Sequence, residues 1–274
     1  MSRDRETALD HHATAILRAA DEAAQIEPAS AISSLSLEDA YEISARIAAL
    51  RQARAERPVG WKIGFTNRTI WDEYGVHAPI WGPMYDSTVT PADQGRAVID
   101  PNRFCEPRIE PEIAFSFVRD AEPGMDEAAL LGCIDGVAHG FEIVQSVYPG
   151  WRFDAADTVA AFALHGAYRH GPFAPIAPSD RPEWLRRLAE FEIALSCDGV
   201  EIDRGHARNV LDGPLSALRH FSDGLAAGRH GWAIRAGDIV TTGTVTRAHP
   251  VASGQSWTTR LLGLPLEGLR LDVA

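Results

Sequence analysis

The 274-residue chain is 45% hydrophobic, enough to bury a full core as one large domain or two unequal ones. Its formal charge of −12 argues against nucleic acid and anionic membranes as partners, since both reward a basic patch. It leaves room for an anionic small molecule, because a bound cation can reverse the field locally.

No apolar run approaches the roughly 20 residues of a membrane span. The opening Met1-Ser2-Arg3-Asp4-Arg5-Glu6 leads into a polar helical pattern, unlike the apolar core of a signal peptide. Residues from about Thr7 to Gln25, rich in Ala, Leu and Glu, predict a helix. Ser36-x-x-Asp39 resembles a capping box and starts a second helix, with Ala40, Ile43, Ile47 and Leu50 at helical spacing and Pro58 and Gly60 ending it. Short β-like segments broken by Gly and Pro follow. A short helix is expected over about Asp126 to Leu131, after the Pro123-Gly124 turn. Ala189 to Cys197 alternates like a strand, with Phe191, Ile193 and Leu195 on one face and Asp198-Gly199 as a hairpin turn. A helix over about Pro214 to Ala226 places Leu215, Leu218, Phe221 and Leu225 inward. The turn Arg235–Asp238 then precedes a strand at Ile239–Thr242. There is no internal repeat and no low-complexity tract. The expected architecture is α+β: a helical N-terminal region over residues 1–60 and a β-rich body over 61–274.

Two features carry chemistry. Lys62 is the single lysine among 26 cationic side chains, and it lies in Gly60-Trp61-Lys62-Ile63-Gly64-Phe65-Thr66-Asn67. Arginine stays protonated near neutral pH, whereas a buried lysine can exchange its proton, so acid/base or Schiff-base chemistry requires Lys. Apolar Trp61, Ile63 and Phe65 and the flanking glycines argue for burial. The second feature is Arg108-Ile109-Glu110-Pro111-Glu112-Ile113-Ala114-Phe115. On a strand, Glu110 and Glu112 share a face about 6.6 Å apart. Two like carboxylates that close are costly without a cation between them, and oxygen ligands suit Mg²⁺ or Mn²⁺. Glu142, inside the apolar Phe141-Glu142-Ile143-Val144, is the candidate third ligand. The competing reading of an isolated Glu-x-Glu is a solvated strand face.

The Lys62 segment, Gly75-Val76-His77-Ala78-Pro79-Ile80-Trp81-Gly82, the Glu110–Phe115 strand, Phe141-Glu142-Ile143-Val144-Gln145-Ser146 and Arg235–Thr244 come in an order that resembles the 2-keto-4-pentenoate hydratase and 4-oxalocrotonate decarboxylase group of the fumarylacetoacetate hydrolase superfamily. The similarity runs from about residue 36 to the C-terminus. It implies a mixed β-roll body and Glu110, Glu112 and Glu142 as ligands of Mg²⁺ or Mn²⁺. It also implies Lys62 as acid/base or anchor, and a 2-ketoacid or 2-hydroxydienoate as substrate. The activity implied is a lyase of aromatic-compound catabolism, working through a metal-stabilised dienolate, in a homo-oligomer. Hydration of a conjugated double bond and decarboxylation share that electron sink.

The sequence departs from the family at two places. Members commonly carry an Asp-Asn pair where this chain has Ala161-Phe162, although Asp157 is kept. Hydratases often have Asp where Ile80 stands, so the pocket wall is less polar here. Asp157 and His165 are carried as further catalytic candidates. The alternative for His165 is a hydrogen-bonded core histidine. Phe65, Tyr85 and Leu164 are candidate substrate contacts, and the resemblance gives Thr244 the substrate carboxylate. Trp151 is a further candidate for an apolar tail. His11-His12 is expected to be solvated, and nothing near Cys105 activates its thiol. The cysteines Cys105, Cys133 and Cys197 lack metal-type spacing and fit a reduced, cytoplasmic setting. Two rival functions are an acylpyruvate-type C–C hydrolase, for which no His-Glu pair is evident, and a non-catalytic metal- and ketoacid-binding member.

Overall fold

The computed structural model describes residues 3–32, 34–74 and 76–274 of the chain. Gly75, in the second family-like motif, and Met1 and Ser2 lie outside them. Helices occupy Arg3–Asp21, Ala29–Ile32 and Leu37–Ala53, and the first strand begins at Pro58. Ser36 caps the third helix as expected, its hydroxyl accepting from the Asp39 amide at 3.0 Å. The first helix stops four residues earlier than its composition suggests. Ala23 turns left-handed (φ 49°), and the Ala24 amide reaches back to the Ala19 carbonyl at 2.8 Å. That closure normally uses glycine, so the stop leaves no glycine in the sequence to announce it. No described helix is long and apolar enough to cross a membrane.

Among the described residues, the strands form two sheets. The larger, nine-stranded sheet runs Ile80–Tyr85, Pro58–Gly64, Ile239–Thr244, Arg108–Phe117, Ile134–Val144, His165–His170 and Val89–Pro91, with two short strands beside this path. The second has five strands, with the Glu192–Cys197 and Val200–His206 hairpin at one edge. The hairpin matches the Asp198-Gly199 signal. The strand before it begins only at Glu192, because Arg181–Glu190 is a helix whose last two residues, Ala189 and Glu190, continue the strand's alternation.

Strand periodicity sorts the two faces of the large sheet near its centre. Ile109, Phe141, Ile143 and Ala167 point toward the five-stranded sheet, where they pack with Leu195, Trp257 and Leu271. Glu110, Glu112 and Glu142 alternate with them and point the other way. The N-terminal helices cover that region through Leu9, Ile16, Ile43 and Ile47, which join one apolar cluster with Val144, Val159 and Phe162. Each such buried aliphatic side chain contributes about 1.5–3 kcal/mol.

The segment joining this helical layer to the site is backbone-strained. Phe162, Ala163 and Leu164 are all left-handed (φ 44°, 56° and 63°), at a cost of roughly 1–2 kcal/mol each. Gly82 makes the bend possible, since a Cβ there would lie 2.6 Å from the Phe162 carbonyl oxygen. The bend turns Ala163 and Leu164 into the cavity described next.

Candidate active site

Pairing register assembles the site. Glu110 lies directly opposite Glu142 on the adjacent antiparallel strand, and Glu112 lies opposite Gly140. Directly opposed side chains start about 4.5–5.5 Å apart at Cβ, and like charges there repel. One oxygen from each of Glu110, Glu112 and Glu142 lies within 4.8 Å of the other two. Glu112 and Glu142 are fully buried and Glu110 is half-buried at the cavity wall.

Lys62 enters from the Pro58–Gly64 strand, which runs parallel to Ile239–Thr244 with Lys62 opposite Thr241. It is 3% exposed, and Nζ sits 3.2 Å from Glu142 Oε2. Gly64 leaves room for its stem, since a Cβ there would meet Lys62 Cε at 3.3 Å. On the other side, the Gly243 amide donates to Glu112 Oε2 at 2.9 Å. Glu112 Oε1 is buried with no hydrogen-bond partner.

The electrostatics follow from this packing. Burial, with Glu142 and Glu110 nearby, pushes the Glu112 carboxyl well above the ordinary range. Burial likewise lifts Glu110 to about 7, against the pull of Lys62. Burial works against the Glu142 charge too, but Lys62 and a bond from His165 outweigh it and hold its carboxyl below the ordinary range. For Lys62, burial favours the neutral amine, yet Glu142, Glu110 and Glu112 together raise its affinity for the proton. One ammonium facing three clustered carboxylates leaves a negative excess, and the orphaned Glu112 oxygen has no donor. An all-oxygen donor set of this kind fits a hard divalent cation.

The cavity above the carboxylates has a polar side, with Lys62, Thr66, Asn67, Arg108 and Thr244, and an apolar side. The apolar side holds Ile80, Val144, Phe153, Ala163, Leu164 and Trp151, and the Arg108 guanidinium lies 3.9 Å over the Trp151 ring. Of the candidates from sequence, Lys62, Phe65, Glu110, Leu164 and Thr244 line this cavity, and Glu112 and Glu142 lie at its floor.

Three candidates are placed elsewhere. Asp157 is buried as a capping residue. Its carboxylate accepts from the Ser30 amide (3.1 Å), the Ser30 hydroxyl (2.5 Å) and the Asp154 amide (3.0 Å), and it does not line the cavity. Tyr85 is 2% exposed beneath the Arg51 guanidinium, also off the cavity. His165 sits behind Glu142, where its Nδ1 is 2.8 Å from Oε1, so its ring faces a carboxylate and not the cavity. Arg108 was missed by the sequence reading although it stands two residues before Glu110, on the same face by strand period. Thr66 and Asn67 carry no local signal of a site role, because the turn that points them inward begins at the left-handed Phe65 (φ 53°).

Known proteins resemble this chain over most of its length. The fumarylacetoacetate (FAA) hydrolase C-terminal family model matches residues 83–263. A 2-hydroxyhexa-2,4-dienoate hydratase from Comamonas testosteroni is 32% identical over 80% of this chain and 80% of its own length. A 4-oxalocrotonate decarboxylase from Pseudomonas sp. (strain CF600) is 33% identical over 82% of each. Among solved structures, 4-oxalocrotonate decarboxylase from Pseudomonas putida G7, complexed with magnesium and adipate, superposes with a TM-score of 0.88. It is 26% identical, over 100% of this chain and 99% of that one.

Proposed function

Because the chain belongs to the fumarylacetoacetate hydrolase family, in its 2-keto-4-pentenoate hydratase and 4-oxalocrotonate decarboxylase group, we propose that it is a metal-dependent lyase acting on a 2-ketoacid or 2-hydroxydienoate. The reaction is hydration of a conjugated double bond or decarboxylation. The observation that carries this reading is the cluster of Glu110, Glu112 and Glu142 with Lys62 against it.

Glu110, Glu112 and Glu142 would hold the divalent ion, Mg²⁺ or Mn²⁺, in this reading. When bound, the ion supplies positive charge that stabilises negative charge developing on the 2-oxo oxygen, and it offsets the carboxylates that keep Lys62 protonated. Lys62, anchored by Glu142, delivers or removes a proton on the substrate carbon chain. Thr244, with Thr66 and Asn67, offers hydrogen bonds to the substrate carboxylate. Ile80, Val144, Ala163 and Leu164 receive the hydrocarbon tail and exclude water from it. Asp157 has no part in this chemistry, because its oxygens are taken up by Ser30 and Asp154.

The test is mass analysis of the product from a panel of 2-hydroxydienoates, mono- and dicarboxylic, with Mg²⁺ and with EDTA. Metal-dependent gain of water or loss of CO₂ is expected. Cleavage of the carbon chain instead would move the protein to the hydrolases, and no conversion across the panel would refute the lyase reading.

A further inference from the structure

We propose that His165 and Thr88 are positioning residues for Glu142, fixing its carboxylate so that Oε1 is occupied and only Oε2 faces Lys62 and the cation. The inference rests on the reading above in taking Glu142 as a metal ligand. His165 Nδ1 is 2.8 Å from Glu142 Oε1, and its Nε2 is 2.9 Å from Thr88 Oγ1. With His165 3% and Glu142 0% exposed, solvent does not substitute for the contact between them.

The partners fix the direction of each bond. A carboxylate only accepts, so Nδ1 carries the ring proton and Nε2 is left as an acceptor facing the Thr88 hydroxyl, which also lies 3.1 Å from the Tyr85 carbonyl and accepts from the Tyr85 amide at 3.2 Å. Thr88 is itself held firmly. Its carbonyl accepts from the Tyr168 amide at 2.9 Å and from Arg169 Nη1 at 3.0 Å, and its amide donates to the Tyr85 carbonyl at 2.9 Å. The chain Thr88–His165–Glu142 therefore links a rigid turn to one oxygen of the carboxylate cluster. Glu142 Oε2, 3.2 Å from Lys62 Nζ, is left as the oxygen open to a cation. Without the Thr88 hydroxyl, Nε2 loses its partner. The ring that holds Glu142 Oε1 is then no longer tethered to the turn at Thr88, and the carboxylate loses its fixed orientation.

The test is calorimetric titration of the EDTA-stripped protein with Mg²⁺, alongside melting temperature. Outer partners of metal ligands typically contribute about 10–100-fold in affinity, and a loss in that range is expected for His165→Leu. His165→Asn, whose amide can donate from about the position of Nδ1, recovers most of it. Thr88→Val keeps the shape, removes the hydroxyl together with its contacts to Tyr85, and is expected to weaken binding by at least about fivefold while the protein stays folded. Affinity within about twofold of wild type in Thr88→Val, or in a folded His165→Leu, overturns the proposal, as does an Asn variant no tighter than Leu. If His165→Leu does not fold, Thr88→Val decides alone. A wild-type protein with no saturable Mg²⁺ binding overturns the ligand assignment itself, and the positioning role with it.

Discussion

Replacing Lys62 by Arg is expected to lower turnover by about 10²–10⁴-fold, the range associated with loss of a general acid or base, while the protein still folds and binds Mg²⁺. Arginine preserves the positive charge opposite Glu142, so the electrostatic support of the cluster survives the exchange. What it cannot supply is a proton that comes and goes near neutral pH. The structure sharpens the case, since Lys62 is almost fully enclosed and its Nζ is 3.2 Å from a carboxylate it stabilises. Gly64 is cleared for its stem, and among the described residues lining the cavity the other cation, Arg108, sits over the Trp151 ring. Steady-state kinetics beside Mg²⁺ titration of the variant separates the two roles. Near wild-type turnover would remove Lys62 from proton transfer.

Glu112→Gln is expected to act in opposite directions on metal binding and on the metal-free fold. Loss of a ligand carboxylate should weaken Mg²⁺ binding by more than the roughly 100-fold upper figure for outer partners. In the stripped protein, however, Glu112 is a burden. Its folded carboxyl is held well above the ordinary range by burial and by Glu142 and Glu110. An acid with a raised folded pKa binds its proton more tightly when folded, so its contribution to stability is intact below the unfolded pKa and falls as pH rises above it. Glutamine keeps the size and can still accept from the Gly243 amide. The stripped variant should therefore melt higher than stripped wild type at pH 7, with the gap closing toward pH 4. A lower melting temperature at pH 7 contradicts this picture of a site held at the expense of stability.

Much of this site was legible from residue types and period. Glu110 and Glu112 sit in an alternating apolar strand, so their shared face followed from the spacing alone. Glu142 stood out because a carboxylate among Phe141, Ile143 and Val144 needs a reason to be buried. The pairing that sets Glu110 against Glu142 was not legible, since register depends on strands 32 residues apart and on bulges no local rule specifies. Asp157 misled for a similar reason. Its partner Ser30 is 127 residues away, and the only local sign that its oxygens were occupied was the capping position three residues after Asp154. Three successive left-handed residues at Phe162–Leu164 are equally unforeseeable, because no glycine marks them. Gly82, whose missing Cβ leaves room for the Phe162 carbonyl, permits their geometry, and the helical layer packs behind them.

The fold was legible to a comparable degree where periodicity was long and capped. Ser36, Asp126 and Pro214 announced their helices, and each begins within a residue of its signal. Strand ends and short helices were less readable. Arg181–Glu190 shows why: its last two residues, Ala189 and Glu190, continue the alternation of the strand it precedes.

Anomalous diffraction at the manganese edge, from crystals of stripped protein soaked in Mn²⁺, tests the three-carboxylate site most directly. The expected result is one strong peak per chain among the carboxylates of Glu110, Glu112 and Glu142, at about 2.0–2.3 Å from their oxygens. Saturating Mn²⁺ with no peak there, or with a peak at other residues, would contradict the metal site on which the lyase reading stands.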